Sequence, residues 1–444
     1  MEIYLFISIY VLLIIGLSYF YARNASEEDY LISGRDRNTW NILASKFAGA
    51  VGVSTFITYT SYAYKFGSWG VIPLILGAIF GYSIFAFWAS PKIKQFSLGQ
   101  QFYTQGDLVR FITNNTNTSL LTNGVTILIQ FFWILLSLVG GAKTIAYFDL
   151  LSYEIALIFT AVIILCYILL SGFKAVIITD IFQTIIILIL LGIIVFNVLS
   201  ADNTIQVNQL LAVQPLETVK ASDIIGLMLY GGLSVFGLAD RYQLCYAAKD
   251  VNAVKKGMSL ALIPIILIVF LLMLVGLSAL AQNNSLDYDN AFIYAMQNLL
   301  SPSLQPVLLL LFFAGLMSSA DTNIFAVSSH ATLSLNPTDK VKMVRLMTVL
   351  VVLIATFIAF FWRSIVDITI VGAAMRITIS IPMIYIISRG NNTGRFIAST
   401  LGGVTALIIG IILFGSSPKI VLLVLLGSFL GLIYKSKNDE LFWN

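Results

Sequence analysis

Between residues 3 and 434 the chain falls into thirteen apolar runs joined by short connections, and this decides the solvent in which it folds. The runs lie near 3–21, 40–64, 68–88, 119–141, 152–170, 175–198, 222–243, 258–281, 306–330, 345–362, 365–387, 396–414 and 418–434, and are numbered here as segments 1 to 13. Each approaches the roughly 20 residues a helix needs to cross the hydrocarbon core. Only 10% of the 444 residues are charged and 59% are hydrophobic, whereas a soluble domain has about 25% charged residues. Such a chain could not cover a surface facing water. The expectation is an all-α polytopic membrane protein of about 13 transmembrane helices, one membrane domain over 1–444.

Segment 1 lacks the basic start and small-residue cleavage site of a signal peptide: Glu2 opens it and it runs straight into Arg23. It is expected to stay as a helix with its N-terminus outside. Lys and Arg concentrate on the cytoplasmic side of membrane proteins, and this orientation puts seventeen of the 25 basic residues inside. Outside it leaves Lys65, Lys143, Lys220, Arg363 and Lys419, with Lys46, Arg241 and Arg376 within segments. The C-terminus is then cytoplasmic, in a plasma (inner) membrane. The net charge of +4 comes from the inner face, so there is no reason to invoke nucleic acid. The expected partners are the lipid bilayer and a small-molecule substrate.

Enzyme chemistry lacks its parts. There is one histidine, His330, two cysteines, Cys166 and Cys245, and no phosphate loop, zinc-binding helix or serine elbow. His330 lies near the inner end of segment 9, where a helix-end or interfacial role is expected.

A carboxylate at membrane depth costs about 2.5 to 3.5 kcal/mol to insert and is by default a functional hypothesis. The candidates at depth are Lys46, Asp180, Asp240, Arg241, Asp321, Asp367 and Arg376. In segment 9, Gly315, Ser318, Ser319 and Thr322 follow i, i+3, i+4, i+7 and share a face, with Asp321 beside it. Close helix packing would explain the small residues, but not the acid. A strip of oxygen ligands with one negative charge suits a small hard cation. Asp180 and Asp321 lie roughly 9 and 12 Å from the inner ends of their segments. Two carboxylates at similar depth repel unless a cation lies between them.

Segments 2 and 7, five apart, are both weakened by glycine, at Gly49 and Gly52 and at Gly231, Gly232 and Gly237. Transporters bind solute where paired helices unwind near the midplane. If segments 2 to 6 (40–198) and 7 to 11 (222–387) form a 5+5 inverted repeat, both weakened helices are the first of their five, the alternative being that the glycines merely serve packing. Segment 1 (1–21) precedes it and two helices (396–434) follow.

Several patterns, in order along nearly the whole chain, resemble the sodium/solute symporter family. They are Asp29-Tyr30-Leu31-Ile32-Ser33-Gly34-Arg35, Ala63-Tyr64-Lys65-Phe66-Gly67, Gly172-Phe173-Lys174-Ala175-Val176 with Thr179-Asp180-Ile181-Phe182-Gln183, and Met317-Ser318-Ser319-Ala320-Asp321. The resemblance implies the LeuT-like inverted-repeat fold with an extra N-terminal helix. It also implies one sodium ion held by the carbonyls of Ala48, Val51 and Gly315 and the hydroxyls of Ser318 and Ser319. A second sodium, present in some relatives, matches Asp180, Ser318, Asp321 and Thr322.

Departures from the family bear on the solute. Sugar and sialic acid carriers hold a Glu-Gln pair where this chain has Ser54-Thr55, which makes a hexose a poorer candidate. The family's Arg after segment 7 is Leu244, with Asp240-Arg241 upstream as a substitute charge. Lys46 and Arg376 suggest capture of an anion, the alternative being that Arg376 neutralises an internal acid or reaches an interface. Candidate solute contacts are Gly52, Ser54, Thr55, Thr58, Gln130, Tyr230, Ser234 and Arg376.

These features together predict sodium-coupled import of a small solute, favouring a carboxylate or amino acid, by alternating access. A proton-coupled carrier using Asp180 or Asp321 is one rival. A non-transporting membrane sensor is another; the short tail after segment 13 speaks against it.

Overall fold

The computed structural model describes residues 2–23, 26–200, 207–299, 305–333 and 337–433. Among these, apart from one isolated bridge between Arg37 and Ala248, regular structure is helical. Lipid offers no hydrogen bonds to the backbone, and a helix satisfies its own.

In chain order, α1 (Glu2–Ala22) and the short α2 (Glu27–Ile32) precede α3 (Thr39–Ala48) and α4 (Val53–Phe66). A π-helical stretch at Phe85–Ala89 joins α5 (Ile72–Ile84) to α6 (Ser90–Ser97), and α7 (Gln105–Thr113) leads into α8 (Thr116–Tyr147). Then come α9 (Tyr153–Ser200), α10 (Val207–Leu211), α11 (Ala221–Leu233), α12 (Ala239–Ala247), α13 (Val251–Gln282) and α14 (Ala291–Leu299). The rest are α15 (Gln305–Thr332), α16 (Lys340–Phe361), α17 (Ile365–Arg389), α18 (Thr393–Phe414) and α19 (Lys419–Ile433).

Among the described residues, eight helices are long and apolar enough to span a membrane, or nine with the α11–α12 pair, which bends by 44°. Segments 1, 5 and 13 contain the shorter apolar helices Ile9–Tyr21, Tyr153–Cys166 and Lys419–Ile433. Segment 2 is divided between α3 and α4.

Several boundaries differ from the sequence expectation. Segments 5 and 6 run on as α9, broken only at Gly172, whose φ of 60° lies in the left-handed region and where a Cβ would strike the ring of Tyr30. Lys92 and Lys94 on α6, Lys143 on α8, and Lys255 and Lys256 on α13 lie on helices that continue past their apolar runs, not in loops. Two of them are satisfied inside the protein, Lys94 on the Tyr246 carbonyl at 3.3 Å and Lys143 on the Asp289 carboxylate at 2.6 Å. Lys435 and Lys437, counted as inner charges, lie outside the described residues. The short helices α2, α7, α10 and α14 fall in stretches read as connections. Of these, α2 and α7 open on capping boxes, Ser26 with Asp29 and Thr104 with Asp107.

Burial separates the helices by role. Over their most apolar stretches α15 is 94% and α17 89% buried, against 33% for α16 and 39% for α13 and α18. The outer helices turn large apolar side chains such as Phe80, Ile263, Phe361 and Ile412 outward, as lipid contact requires. The inner pair carries the serine strip and Arg376.

Candidate functional site

α3 stops at Ala48 and α4 resumes at Val53 without a side-chain cap, leaving Gly49 to Gly52 outside regular helix. The break is partly satisfied from within: the Thr55 hydroxyl donates to the Ala50 carbonyl at 2.7 Å, and the Val51 amide reaches the Phe47 and Ala48 carbonyls at 3.0 and 3.3 Å. α15 crosses it in close contact. A Cβ on Gly52 would overlap the Ser319 hydroxyl, and one on Gly315 would lie 3.2 Å from the Gly52 Cα. The Ser319 hydroxyl donates to the Gly315 carbonyl at 2.7 Å. Gly52, Gly315 and Ser319 therefore meet at one crossing, with Ala48 and Val51 at the adjoining break of the helix.

The adjacent Ser318 reaches toward α9. Its hydroxyl donates at 2.8 Å to the buried carboxylate of Asp180 on α9, which also accepts the Ser45 hydroxyl of α3 at 2.5 Å. The Asp321 carboxylate accepts the Thr322 amide at 2.5 Å and its hydroxyl at 3.2 Å, and that hydroxyl also lies 3.2 Å from the Ser318 carbonyl. On the same helix as Asp180, Gln183 donates to the Tyr10 hydroxyl of α1 at 3.2 Å. Asp180, Ser318, Asp321 and Thr322 thus form one connected cluster. Ser45 joins it without having been foreseen.

A cavity opens on the other side of α3 and α4. Six of the eight candidate solute contacts line it: Ser54, Thr55, Thr58, Tyr230, Ser234 and Arg376. Two do not. Gly52 lies beneath Ser319, and Gln130 is buried on α8 with both amide atoms unpartnered. The walls also include Tyr59, Tyr62, Tyr82, Trp133 and Asn323, none of them singled out from the sequence. Thr55, Thr58, Tyr59 and Tyr62 follow i, i+3, i+4, i+7, so a helical reading of that stretch would have found the two tyrosines.

The charges at depth divide by partner. Asp240 and Arg241 pair with each other, so Arg241 is spent locally. Arg376, 4% exposed, stacks its guanidinium carbon 3.9 Å from the Trp133 ring centroid and 5.7 Å from that of Tyr230. Among the described residues it has no ion pair, and its Nε lacks a hydrogen-bond partner. The Lys46 ammonium lies 4.3 Å above the Tyr82 ring with no hydrogen-bond acceptor. Asp367 lies in the first turn of α17, its amide capped by Ser364, so it is not at depth.

His330 is buried, not interfacial. Its Nε2 accepts the Gln105 amide at 2.9 Å while its Nδ1 faces the Ala326 carbonyl at 2.7 Å. The Gln105 side chain donates to the Phe236 carbonyl at 3.3 Å and accepts the Thr126 hydroxyl at 2.8 Å. The helix end is closed over by α7, which an apolar-run reading does not detect.

A broken helix crossed by a serine-rich helix, with buried acids on one side and a polar cavity on the other, is an arrangement for ions and solutes. The model of the sodium:solute symporter family matches residues 30–364. The chain belongs to this family. Among curated relatives, the sodium/proline symporters of Staphylococcus aureus strains Newman and COL are each 24% identical over 349 residues, covering 74% of this chain and 67% of theirs. Among solved structures, a Na+-coupled sialic acid symporter in a substrate-bound outward-open state superposes with a TM-score of 0.76 at 14% identity, covering 98% of both chains. A nucleobase-cation-symport-1 family transporter, closed around bromovinylhydantoin, gives 0.62 at 12% identity, covering 92% of this chain and 94% of that one. The fold is LeuT-like, and the protein is a sodium-coupled solute transporter of the membrane, not an enzyme.

Proposed function

We propose that the protein imports a small organic anion bearing a carboxylate, driven by sodium, through alternating access between the two five-helix repeats (40–198 and 222–387). The observation that carries this reading is Arg376, a buried guanidinium on a cavity wall with an aromatic stack behind it and, among the described residues, no ion pair, Asp240 on the same lining being held by Arg241. A guanidinium with open N–H groups matches a carboxylate in shape and charge.

Sodium would lie where α15 crosses the broken helix, among the Ala48, Val51 and Gly315 carbonyls and the Ser318 and Ser319 hydroxyls. A hydroxyl that donates to Asp180, as Ser318 does, keeps lone pairs for a cation. A second sodium would use Asp180, Ser318, Asp321 and Thr322. Ser54, Thr55, Thr58, Tyr230 and Ser234 would contact the solute, with the N-terminus outside and the C-terminus in the cytoplasm. Sodium bound at the crossing would fix the link between α3, α4 and α15 and so raise solute affinity, and solute must tighten sodium by the same factor.

Thermal shift of the purified protein against carboxylates, amino acids, sugars and nucleobases, each in sodium and in choline chloride, tests this. A carboxylate that stabilises only in sodium is the expected result. Stabilisation indifferent to sodium, but dependent on pH, would replace this mechanism with proton coupling.

A further inference from the structure

Lys46 and Arg376 are two buried basic side chains at the cavity that, among the described residues, no carboxylate pairs with: Arg376 lines it and Lys46 stands over the lining residue Tyr82, while Asp240 and Arg241 are bound to each other. Lys46 belongs to this side: Tyr82 beneath it lines the cavity, and so do Gly49 and Ala50, one turn further along. Its neighbour Ser45 faces the opposite way, toward Asp180.

We infer that the transported solute carries two negative groups, as a dicarboxylate does, one received by Arg376 against Trp133 and the other by Lys46 beside Tyr82. This inference rests on the proposed anion site and adds its second half. A buried ammonium without an acceptor is unfavourable, and the face of an aromatic ring replaces only part of its hydration. A solute with a single negative charge would satisfy Arg376 and leave Lys46 as it stands.

The test compares succinate and glutarate with butyrate and valerate, in sodium and in choline, by thermal shift of the full-length protein and of its Lys46→Met and Lys46→Arg variants. In sodium, a dicarboxylate should act at roughly tenfold lower concentration than the monocarboxylate of equal length, a preference of about 1.4 kcal/mol. Lys46→Met should abolish that preference and Lys46→Arg should keep it. If Lys46→Met does not fold, the wild-type comparison alone decides. Equal potency of mono- and dicarboxylates, or no response to either, overturns the second charge; a sodium-dependent monocarboxylate response would still leave the proposed function standing. A dicarboxylate preference of the same size in choline supports the second charge and removes sodium coupling instead.

Discussion

The two sides of α3 differ in how far they are complete. Toward Asp180, the hydroxyls of Ser45, Ser318 and Thr322 all have acceptors within the protein. Toward the cavity, Lys46 Nζ, Arg376 Nε, Trp133 Nε1, the Tyr62 hydroxyl and Asp240 Oδ1 have no hydrogen-bond partner among the described residues. A buried polar group left unsatisfied costs about 1–3 kcal/mol, so a cluster of them persists where something else arrives to complete it. The acid side is organised in advance. The cationic side is organised for a guest.

The largest effect should come from Arg376→Met, which strands the anionic end of the solute. Losing one partner of a buried, hydrogen-bonded charge pair costs about 2–5 kcal/mol, so solute should bind at least roughly 30-fold more weakly while sodium alone still stabilises. An unchanged solute affinity would erase the distinction between the sides. Asp180→Asn keeps the shape but removes the charge that two hydroxyls address. Hydrogen bonds to charged groups contribute about 1.5–3 kcal/mol, so the sodium concentration for half-maximal stabilisation should rise roughly tenfold or more, measured by titration without solute. Solute binding at saturating sodium should change far less.

A third variant lies outside both sides and serves as a control. Partial burial pushes the Asp29 carboxyl up, but the Lys174 ammonium at 3.1 Å and the Ser26 amide and hydroxyl outweigh it and hold it below the usual carboxylate range. Its stabilisation is present above the unfolded value and is lost as pH falls through the folded one. Asp29→Asn should therefore lower the melting temperature slightly at neutral pH, with the gap closing below about pH 4, and neither sodium nor solute should alter it.

Much of this organisation was legible in the sequence because it is written in single segments. The serine strip of α15 and the glycine-weakened helices show in local spacing, and the depth of Asp180 and Asp321 follows from counting residues. What could not be read depends on how helices face one another. Ser45 is an ordinary helical serine until the register of α3 against α9 puts Asp180 2.5 Å away. Lys46 could be flagged as buried, but its seat on Tyr82 needs α5 beside α3. Gln130 shows the reverse, a polar residue at the right depth that α8 turns away from the cavity lining. Helices such as α7 and α14 were missed because nine residues of amphipathic chain look like a loop when only long apolar runs are sought.

Gln105 bears on leakage. Through its amide and side chain it joins α7 to α8, to α15 and to the turn between α11 and α12. Parting any two of these elements breaks a bond that the same residue shares with the others, which favours opening of this end as one event over a series of partial cracks. A carrier that exposed a trickle path at each half-step would let ions slip through unaccompanied and run down the gradient that drives it. One glutamine tied at several points makes such half-steps scarce.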